Sequence, residues 1–350
     1  MQRGSSPRPI IKYITTSTDG VNWIKIGDMP HFGRIVTSTE EKVTREGAKK
    51  SRLVKKGDLI LSNSMSYGLP YIMGVDGYIH DGWFVLKDFE DTFDKDYLCN
   101  LLISSAIQNQ YKRLAAGGVV QNISSDLVNS VSVSIPLMEE QKKISSLLNL
   151  IDDRIATQNK IIDKSQSLIK GIRNDVYGKL RKSVGFNAMI SDVLSYEQPQ
   201  PYIVENTEYT AEGIPVLTAN KAFVLGYTLE TDGIYDKGDC IIFDDFTLDC
   251  KYVDFPFKVK SSAIKILTAK NKELLRYTFE FLKYLDLSTE EHKRHYIAET
   301  QNQEFILPTE QIVKTVAYIF STLSLRMETA VKQRDVFEKQ KQYLLRQMFI

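Results

Sequence analysis

The sequence of 350 residues has few cysteines, no long apolar run and almost no net charge. Its three cysteines, Cys99, Cys240 and Cys250, form no CxxC pair, which argues against a disulfide framework or a zinc knuckle. They are therefore interpreted as buried thiols in a reducing compartment. No apolar run approaches the ~18 residues that a membrane helix needs. Lys and Arg number 45 against 44 Asp and Glu, so a generally basic coat is excluded and any nucleic-acid surface must be local. We predict a cytoplasmic protein with no membrane partner.

Signatures of catalysis are also scarce. Neither a GxxxxGK[ST] phosphate loop nor a GxGxxG fingerprint occurs, and no histidine or cysteine spacing indicates a metal site. Asp249 and Lys251, with Asp244 upstream, could form a nuclease-like Asp-x-Lys, although such triplets arise often by chance. The chain alone is predicted to have no catalytic residues and no metal.

A duplication organises the chain, because a sheet-rich segment followed by a long helical segment occurs twice. Lys56-Gly-Asp recurs as Lys237-Gly-Asp, and each indicates a turn that enters an apolar strand. Ile135-Pro recurs as Leu307-Pro, in each case shortly before a Glu-Gln pair. The predicted segments are a first domain at 1–135, a helix at 136–183, a second domain at 184–307 and a second helix at 308–350.

Apolar residues in both helical segments follow a 3.5-residue repeat, which is typical of a coiled-coil seam. The central seam positions are Ile144, Leu148, Ile151 and Ile155 in the first helix, and Val316, Phe320, Leu323 and Met327 in the second. Two independent helices, each packed on its own domain, are the alternative. Matched lengths and equivalent positions favour pairing, and the intervening domain favours an antiparallel pair. The predicted fold class is α+β, with two repeated mixed α/β domains separated by two long antiparallel coiled-coil helices.

Motifs spread over the chain carry a resemblance to a known family. They include Trp23-Ile-Lys-Ile-Gly-Asp28, Ile135-Pro-Leu-Met-Glu-Glu-Gln141, Tyr196-Glu-Gln-Pro-Gln-Pro-Tyr202 and Leu344-Leu-Arg-Gln-Met-Phe-Ile350. In this order they resemble the DNA-specificity (S) subunit of type I restriction–modification systems. The resemblance implies a non-catalytic reader, in which each domain is a target-recognition domain that binds one half of a bipartite, asymmetric site in double-stranded DNA.

The resemblance also implies partners. The two helices would set the gap between the half-sites and dock methyltransferase (M) subunits, expected as two copies, through the seam positions given above. Restriction (R) subunits are a further expected partner. S-adenosylmethionine, ATP and Mg²⁺ would be held by those partner subunits, and this chain would hold no cofactor. Two other functions remain as alternatives: a stand-alone DNA endonuclease, and a coiled-coil adaptor that binds proteins instead of DNA.

The second domain has an opening element that the first domain is expected to lack. Val184–Ser195 precedes the Tyr196 motif, whereas the repeat offset leaves only Met1–Arg3 at the equivalent place. A truncation, an alternative start or a partial gene would each explain this difference.

Candidate DNA contacts are polar or basic side chains in loops that flank apolar strands, because base edges need hydrogen-bonding groups and phosphates need cations. Simple solvated turns are the competing interpretation of these loops. In the first domain the candidates are Ser5, Ser6, Arg8, Lys25, Asn63, Ser64, Tyr67, Gln121 and Asn122. In the second domain they are Gln198, Gln200, Tyr202, Thr218, Asn220, Lys221, Lys260, Ser261, Ser262, Lys293, Arg294 and His295. The segment Tyr196–Tyr202 is too polar and too rich in proline for a strand interior, so it is predicted to be a displayed loop.

A basic run between Arg45 and Lys56 is interpreted as a solvated face that contacts phosphates only if it flanks these loops. Asp244 and Asp245 could accept hydrogen bonds from cytosine, but we favour a role in orienting their own loop.

Overall fold

The computed structural model describes residues 1–30, 33–63, 68–115, 124–219, 222–289, 291 and 293–349. Its contacts divide the chain into two compact units, Met1–Lys160 with Ala330–Ile350, and Ile161–Thr329. Both boundaries fall inside the long helices. The proposed division into recognition domains and spacer helices therefore stays a prediction.

The first unit is built on two five-stranded sheets. Its strands are β1 (Gln2–Arg3), β2 (Ile14–Thr15), β3 (Val21–Ile24), β4 (Ile35–Val36), β5 (Glu41–Val43), β6 (Arg52–Val54), β7 (Leu59–Ser62), β8 (Pro70–Met73), β9 (Gly77–Ile79) and β10 (Trp83–Leu86). One sheet has the order β1-β10-β7-β8-β4 and the other β2-β5-β3-β9-β6. Strands β3 and β9 run parallel, with Trp23 opposite Tyr78 and Ile24 opposite Ile79. The buried side chains of Ile24, Ile60 and Trp83 belong to one core cluster, so residues of both sheets share a core.

In the described part of the first unit, one short α-helix lies between β5 and β6, and the other α-helices follow the last strand. They are α1 (Arg45–Lys49), α2 (Lys95–Ile103), α3 (Ser105–Ala115), α4 (Ser125–Asn129) and the first part of α5 (Met138–Ser183). Helix α2 begins at Lys95 because the carboxylate of Asp94 accepts a hydrogen bond from the Tyr97 amide at 2.9 Å.

The second unit repeats the mixed architecture with other strand lengths. Its strands are β11 (Ala188–Met189), β12 (Leu194–Glu197), β13 (Ile214–Leu217), β14 (Val224–Thr228), β15 (Cys240–Asp244), β16 (Cys250–Val253), β17 (Lys258–Val259), β18 (Ile264–Ala269) and β19 (Glu304–Phe305). Its helices are α6 (Ile190–Val193), α7 (Lys272–Leu285), the second part of α5 and the first part of α8 (Glu310–Met348). The sheets are β12-β18-β15-β16, β14-β13-β17 and β11-β19. Strands β13 and β17 run parallel, as β3 and β9 do in the first unit.

The predicted α+β fold with repeated mixed domains and two long helices is confirmed. In both units the strand after the Lys-Gly-Asp turn, β7 or β15, pairs antiparallel with the two strands beside it. Strand β12 pairs with β18 as β1 pairs with β10. In the second unit β11 and α6 come before β12.

The two long helices pack antiparallel within the first unit. Asp152 of α5 contacts Lys341 of α8 at 2.5 Å, and the Arg154 guanidinium lies 5.5 Å from the centre of the Phe337 ring. Residue numbers along α8 therefore decrease as those along α5 increase, which is the antiparallel direction. Within the second unit Arg173 lies over Phe320 at 6.0 Å. Of the predicted seam positions, Leu148, Ile151, Val316 and Phe320 are buried, and Ile144, Ile155, Leu323 and Met327 are partly buried. These residues pack inside the chain, and their role in partner docking stays a prediction.

The prediction of a displayed loop at Tyr196–Tyr202 is wrong in part. Strand β12 continues to Glu197, and Gln200–Tyr202 forms a 3-10 helix. Tyr202 is buried because its ring packs edge-on against Tyr235 and its hydroxyl donates to Glu197 Oε1 at 2.6 Å. Composition alone indicated a loop, but pairing with β18 extends the strand.

The three cysteines are free and buried, as expected from the sequence. Burial raises the pKa of the Cys99 thiol to about 11, so this thiol is protonated at neutral pH. Over the described ranges, no helix combines the length and apolarity needed to cross a bilayer.

Candidate nucleic-acid interface

In the first unit, polar residues follow the ends of two parallel strands. Lys25 comes directly after β3, and His80 and Asp81 come directly after β9. Ile24 and Ile79 are paired at those ends, so the two continuing loops meet at one edge of the sheet. This edge brings together residues that are more than fifty positions apart in the chain.

Asp81 connects several of the predicted DNA contacts. Its Oδ1 accepts from the Ser6 hydroxyl at 2.7 Å, and its Oδ2 lies 3.4 Å from Arg8 Nη2. Its backbone oxygen accepts from Asn63 Nδ2 at 2.8 Å. The Ser6 hydrogen bond is the main reason that the pKa of Asp81 lies below its ordinary value, so the carboxylate is charged at neutral pH.

Gly4, just before Ser5, lies where its backbone passes close to the backbone of His80. A Cβ at this position would lie 2.0 Å from the backbone oxygen of His80. Any other residue would therefore push the Ser5–Arg8 loop away from Asp81.

Positive charge surrounds this loop. The Arg8 side chain is 83% exposed, and Arg3 Nε donates to the Asp81 backbone oxygen at 3.0 Å. Arg52, from the basic run, donates to the Arg3 backbone oxygen at 3.3 Å. The basic run therefore flanks the loop, as its proposed phosphate role requires.

A cleft of about 480 Å³ opens beside Asp81. It is lined by Ser6, Pro7, Arg8, Ile10, Trp23, Lys25, Ile26, His80 and Asp81. Lys25 Nζ contacts Glu41 at 2.7 Å and Glu40 at 3.5 Å. The Glu41 hydrogen bond raises the pKa of Lys25, and these carboxylates offset its charge in the cleft.

The second unit presents an equivalent edge. Thr218 follows β13 and Lys260 follows β17, and the Lys260 amide donates to the Leu217 backbone oxygen at 3.1 Å. Lys260 and Ser261 are exposed, and Arg294 Nη2 donates to the Ser262 hydroxyl at 3.3 Å. Five predicted contacts of the second domain, Thr218, Lys260, Ser261, Ser262 and Arg294, therefore lie at or beside this edge.

Other candidates of the second domain are tied into its interior. Asp245 is buried and accepts from the amides of His295 at 3.1 Å and Tyr296 at 2.7 Å. Lys265 Nζ lies 3.4 Å from Asp245 and donates to Gln198 Oε1 at 2.9 Å. Asp245 therefore orients its own surroundings, as we favoured.

His295 was expected on an exposed basic edge, and the structure corrects this expectation. Its side chain is 2% exposed, because the ring lies between Glu299, at 2.9 Å, and the backbone oxygen of Glu291. Lys293 is exposed but contacts both Glu291 and Glu299.

Gln200 and Tyr202 lie on the 3-10 helix that follows β12. Gln200 is exposed on its 3-10 helix and Tyr202 is buried. Six candidates lie outside the described residues: Ser64, Tyr67, Gln121, Asn122, Asn220 and Lys221.

The nuclease alternative gains no support from its proposed residues. Asp244 Oδ1 accepts from the amides of Phe246 and Thr247, both at 2.9 Å, and so caps a turn. Asp249 contacts Lys283 at 2.5 Å and Lys251 at 3.3 Å. Across the part of the chain that the structure describes, no three acidic, His or Cys side chains are grouped to hold a metal ion.

Sequence reasoning missed His80, Asp81 and Trp23 at the first edge. The duplication contained a signal for two of them. The Lys-Gly-Asp turns start at Lys56 and Lys237, an offset of 237 − 56 = 181, and the same offset relates Ser261 and Ser262 to His80 and Asp81.

Comparisons with known proteins agree on one family. Residues 8–164 match the family model described as the type I restriction modification DNA specificity domain. The chain is 44% identical over 126 residues to the type I restriction enzyme EcoR124I/EcoR124II specificity subunit of Escherichia coli, covering 34% of this chain and 31% of that protein. It is 27% identical over 188 residues to the MjaVIII specificity subunit of Methanocaldococcus jannaschii, covering 50% of this chain and 44% of that protein. The chain thus spans less than half the length of these curated relatives.

Solved structures share the fold over nearly the full chain. The S subunit of a type I restriction–modification system from M. genitalium aligns with a TM-score of 0.61 and 14% identity, covering 100% of this chain and 99% of that one. A chain from a structural study of complex assembly and conformational transition in the type I R-M system aligns with a TM-score of 0.53 and 13% identity, covering 99% of this chain and 94% of that one. At these identities the likeness concerns the fold.

Proposed function

We propose that this chain, whose residues 8–164 match the type I restriction modification DNA specificity domain model, is the DNA-recognition subunit of a type I restriction–modification complex. Each unit reads one half of a bipartite, asymmetric site in double-stranded DNA. The chain itself is not catalytic.

One observation carries this proposal. In both units a pair of parallel strands ends at an edge that carries polar and basic side chains. Arg8 is exposed and Ser6 partly buried in one unit, and Lys260 and Arg294 are exposed and Ser262 partly buried in the other. Two such edges on one chain suit a site with two separate halves. Arginine and lysine supply phosphate contacts, and hydroxyl groups supply contacts to base edges.

The proposal includes partner subunits. Methyltransferase subunits, in two copies, dock on the long helices and bring S-adenosylmethionine for adenine methylation. Restriction subunits bring ATP and Mg²⁺ for translocation and cleavage, and this chain holds no cofactor. We propose that the assembly works in the cytoplasm, where the DNA that it would modify is present.

Methylated-base sequencing tests the proposal in cells that express this chain with its methyltransferase subunit. We expect a two-part motif with a fixed gap. Arg8→Ala should lower methylation through the half-site of the first unit, and Arg294→Ala through the half-site of the second. Lys270→Ala, an exposed lysine outside both edges, is the charge-matched control.

The adaptor alternative predicts a different result. A chain that binds only proteins would give no new methylated motif, and the purified complex would show no salt-dependent affinity for duplex DNA. Either finding with all subunits present would overturn the recognition role.

A further inference from the structure

The ring of His80 has a defined tautomer. The Gly82 amide donates to His80 Nδ1 at 2.8 Å, so Nδ1 is an acceptor and the proton of the neutral ring is on Nε2. Burial lowers the pKa of His80, while the charges of Asp81 and Asp28 act in the opposite direction. The ring is therefore neutral at pH 7 and has one N–H donor.

Two tryptophans hold this ring in place. The centroid of the His80 ring lies 6.1 Å from that of Trp23 and 6.2 Å from that of Trp83, and both indoles are buried. His80 lines the cleft and its side chain is 21% exposed. Within the described ranges its Nε2 has no hydrogen-bond partner. A donor held in a fixed position and left without a partner suits recognition of an acceptor on a ligand.

Asp81, the next residue, adds a hydrogen-bond acceptor to the same cleft. Its carboxylate is 43% exposed, and the Ser6 and Arg8 contacts leave lone pairs free on its two oxygens. A neutral donor beside a charged acceptor is complementary to adenine, whose major-groove edge presents the N7 acceptor beside the N6 amino donor. Guanine would place O6 against the carboxylate, and cytosine offers only an amino donor on this edge.

We propose that His80 is a specificity-determining residue, whose Nε2–H donates to N7 of an adenine in the half-site read by the first unit, with Asp81 accepting from N6 of the same base. This inference rests on the proposed function. It assigns to the first edge a base contact that is distinct from the phosphate contacts of Arg8.

Three variants of His80 separate the donor from simple packing. His80→Phe keeps a ring between the tryptophans but removes the donor. His80→Asn can still accept from Gly82 through its amide oxygen, while its amide nitrogen does not reach the position of Nε2. His80→Gln is the conservative variant, because its longer side chain returns an N–H donor near that position.

The test is methylated-base sequencing of cells that express each variant with the methyltransferase subunits, with thermal unfolding of the purified complex as the folding check. We expect His80→Phe and His80→Asn to relax one adenine position in one half-site by about tenfold, since a single hydrogen bond of this kind contributes about that factor. His80→Gln should retain most of the adenine preference. The other half-site and the gap should be unchanged, as in the Lys270→Ala control.

The failures can be told apart. If His80→Asn folds and gives the wild-type motif, the inference is overturned while the proposed function stands. A loss of methylation that is equal at every position of the motif would assign His80 to packing or phosphate binding and would also overturn it. If the wild-type chain gives no motif, the proposed function fails and the inference fails with it.

Discussion

A three-residue charge cluster connects a loop, α5 and α8 within the first unit. Asp152 contacts Arg34 Nη2 at 3.0 Å and Lys341 Nζ at 2.5 Å. The Arg34 and Lys341 side chains are each 16% exposed and Asp152 is 28% exposed. Asp152→Ala would leave two poorly solvated cations without their shared carboxylate. Removing one partner from a fully buried pair costs ~3–5 kcal/mol, so partial exposure leads us to expect a loss of about 2–4 kcal/mol in the free energy of unfolding.

Urea unfolding followed by fluorescence and by circular dichroism measures this loss. With a slope of ~2–3 kcal/mol per molar urea, the midpoint of the first unit should fall by about 1 M. Asp153→Ala is the matched control, because Asp153 is the next residue on α5 and is exposed. Adding Lys341→Met to Asp152→Ala should restore part of the stability, since one unpaired cation is removed. The reasoning is refuted if Asp152→Ala and Asp153→Ala lower the midpoint equally.

Three further predictions concern the second unit. Asn187→Ala should destabilise this unit by about 1–3 kcal/mol in thermal unfolding, because the Asn187 amide makes two hydrogen bonds to the Leu307 backbone, at 3.0 and 2.8 Å. The hydrogen bond that protonated His295 donates to Glu299 raises the pKa of His295 above 6.5. The stability that protonated His295 contributes is therefore full below pH 6.5 and is lost as pH rises through the folded-state pKa. Unfolding midpoints across pH 5–9 should show this decline in the wild type and a smaller one in Glu299→Gln. Lys260→Ala should weaken binding of the complex to all duplexes alike and reduce the salt slope of log K by about 1, whereas an altered motif with an unchanged slope would contradict a phosphate role.

The helices and the duplication were accessible from sequence because their signals are local or periodic. The 3.5-residue repeat identified Leu148 and Phe320 as seam positions, and both are buried. The Lys-Gly-Asp turns marked the entries to β7 and β15, where short-range turn chemistry is enough.

The interface was harder to predict because it depends on strand pairing. Ser6, Arg8 and Asn63 were identified by their polar character, but Asp81, which connects them, is over seventy residues from Ser6. Only the parallel pairing of β3 with β9 brings its loop to that edge. His295 shows the opposite error, since a basic stretch of sequence contained a buried ring whose partner, Glu299, lies four residues further on.

The order in which the chain is synthesised affects the first unit. Its core includes Leu148 of α5 together with Leu345 and Phe349 from the end of α8. Those two residues emerge from the ribosome about 200 residues after Leu148, which at ~5–20 residues per second is a delay on the order of ten seconds or more. During this delay the apolar surface that Leu345 and Phe349 later bury stays exposed. The second unit, Ile161–Thr329, is contiguous in sequence and can fold as it emerges. The unit synthesised first is therefore the last to be completed.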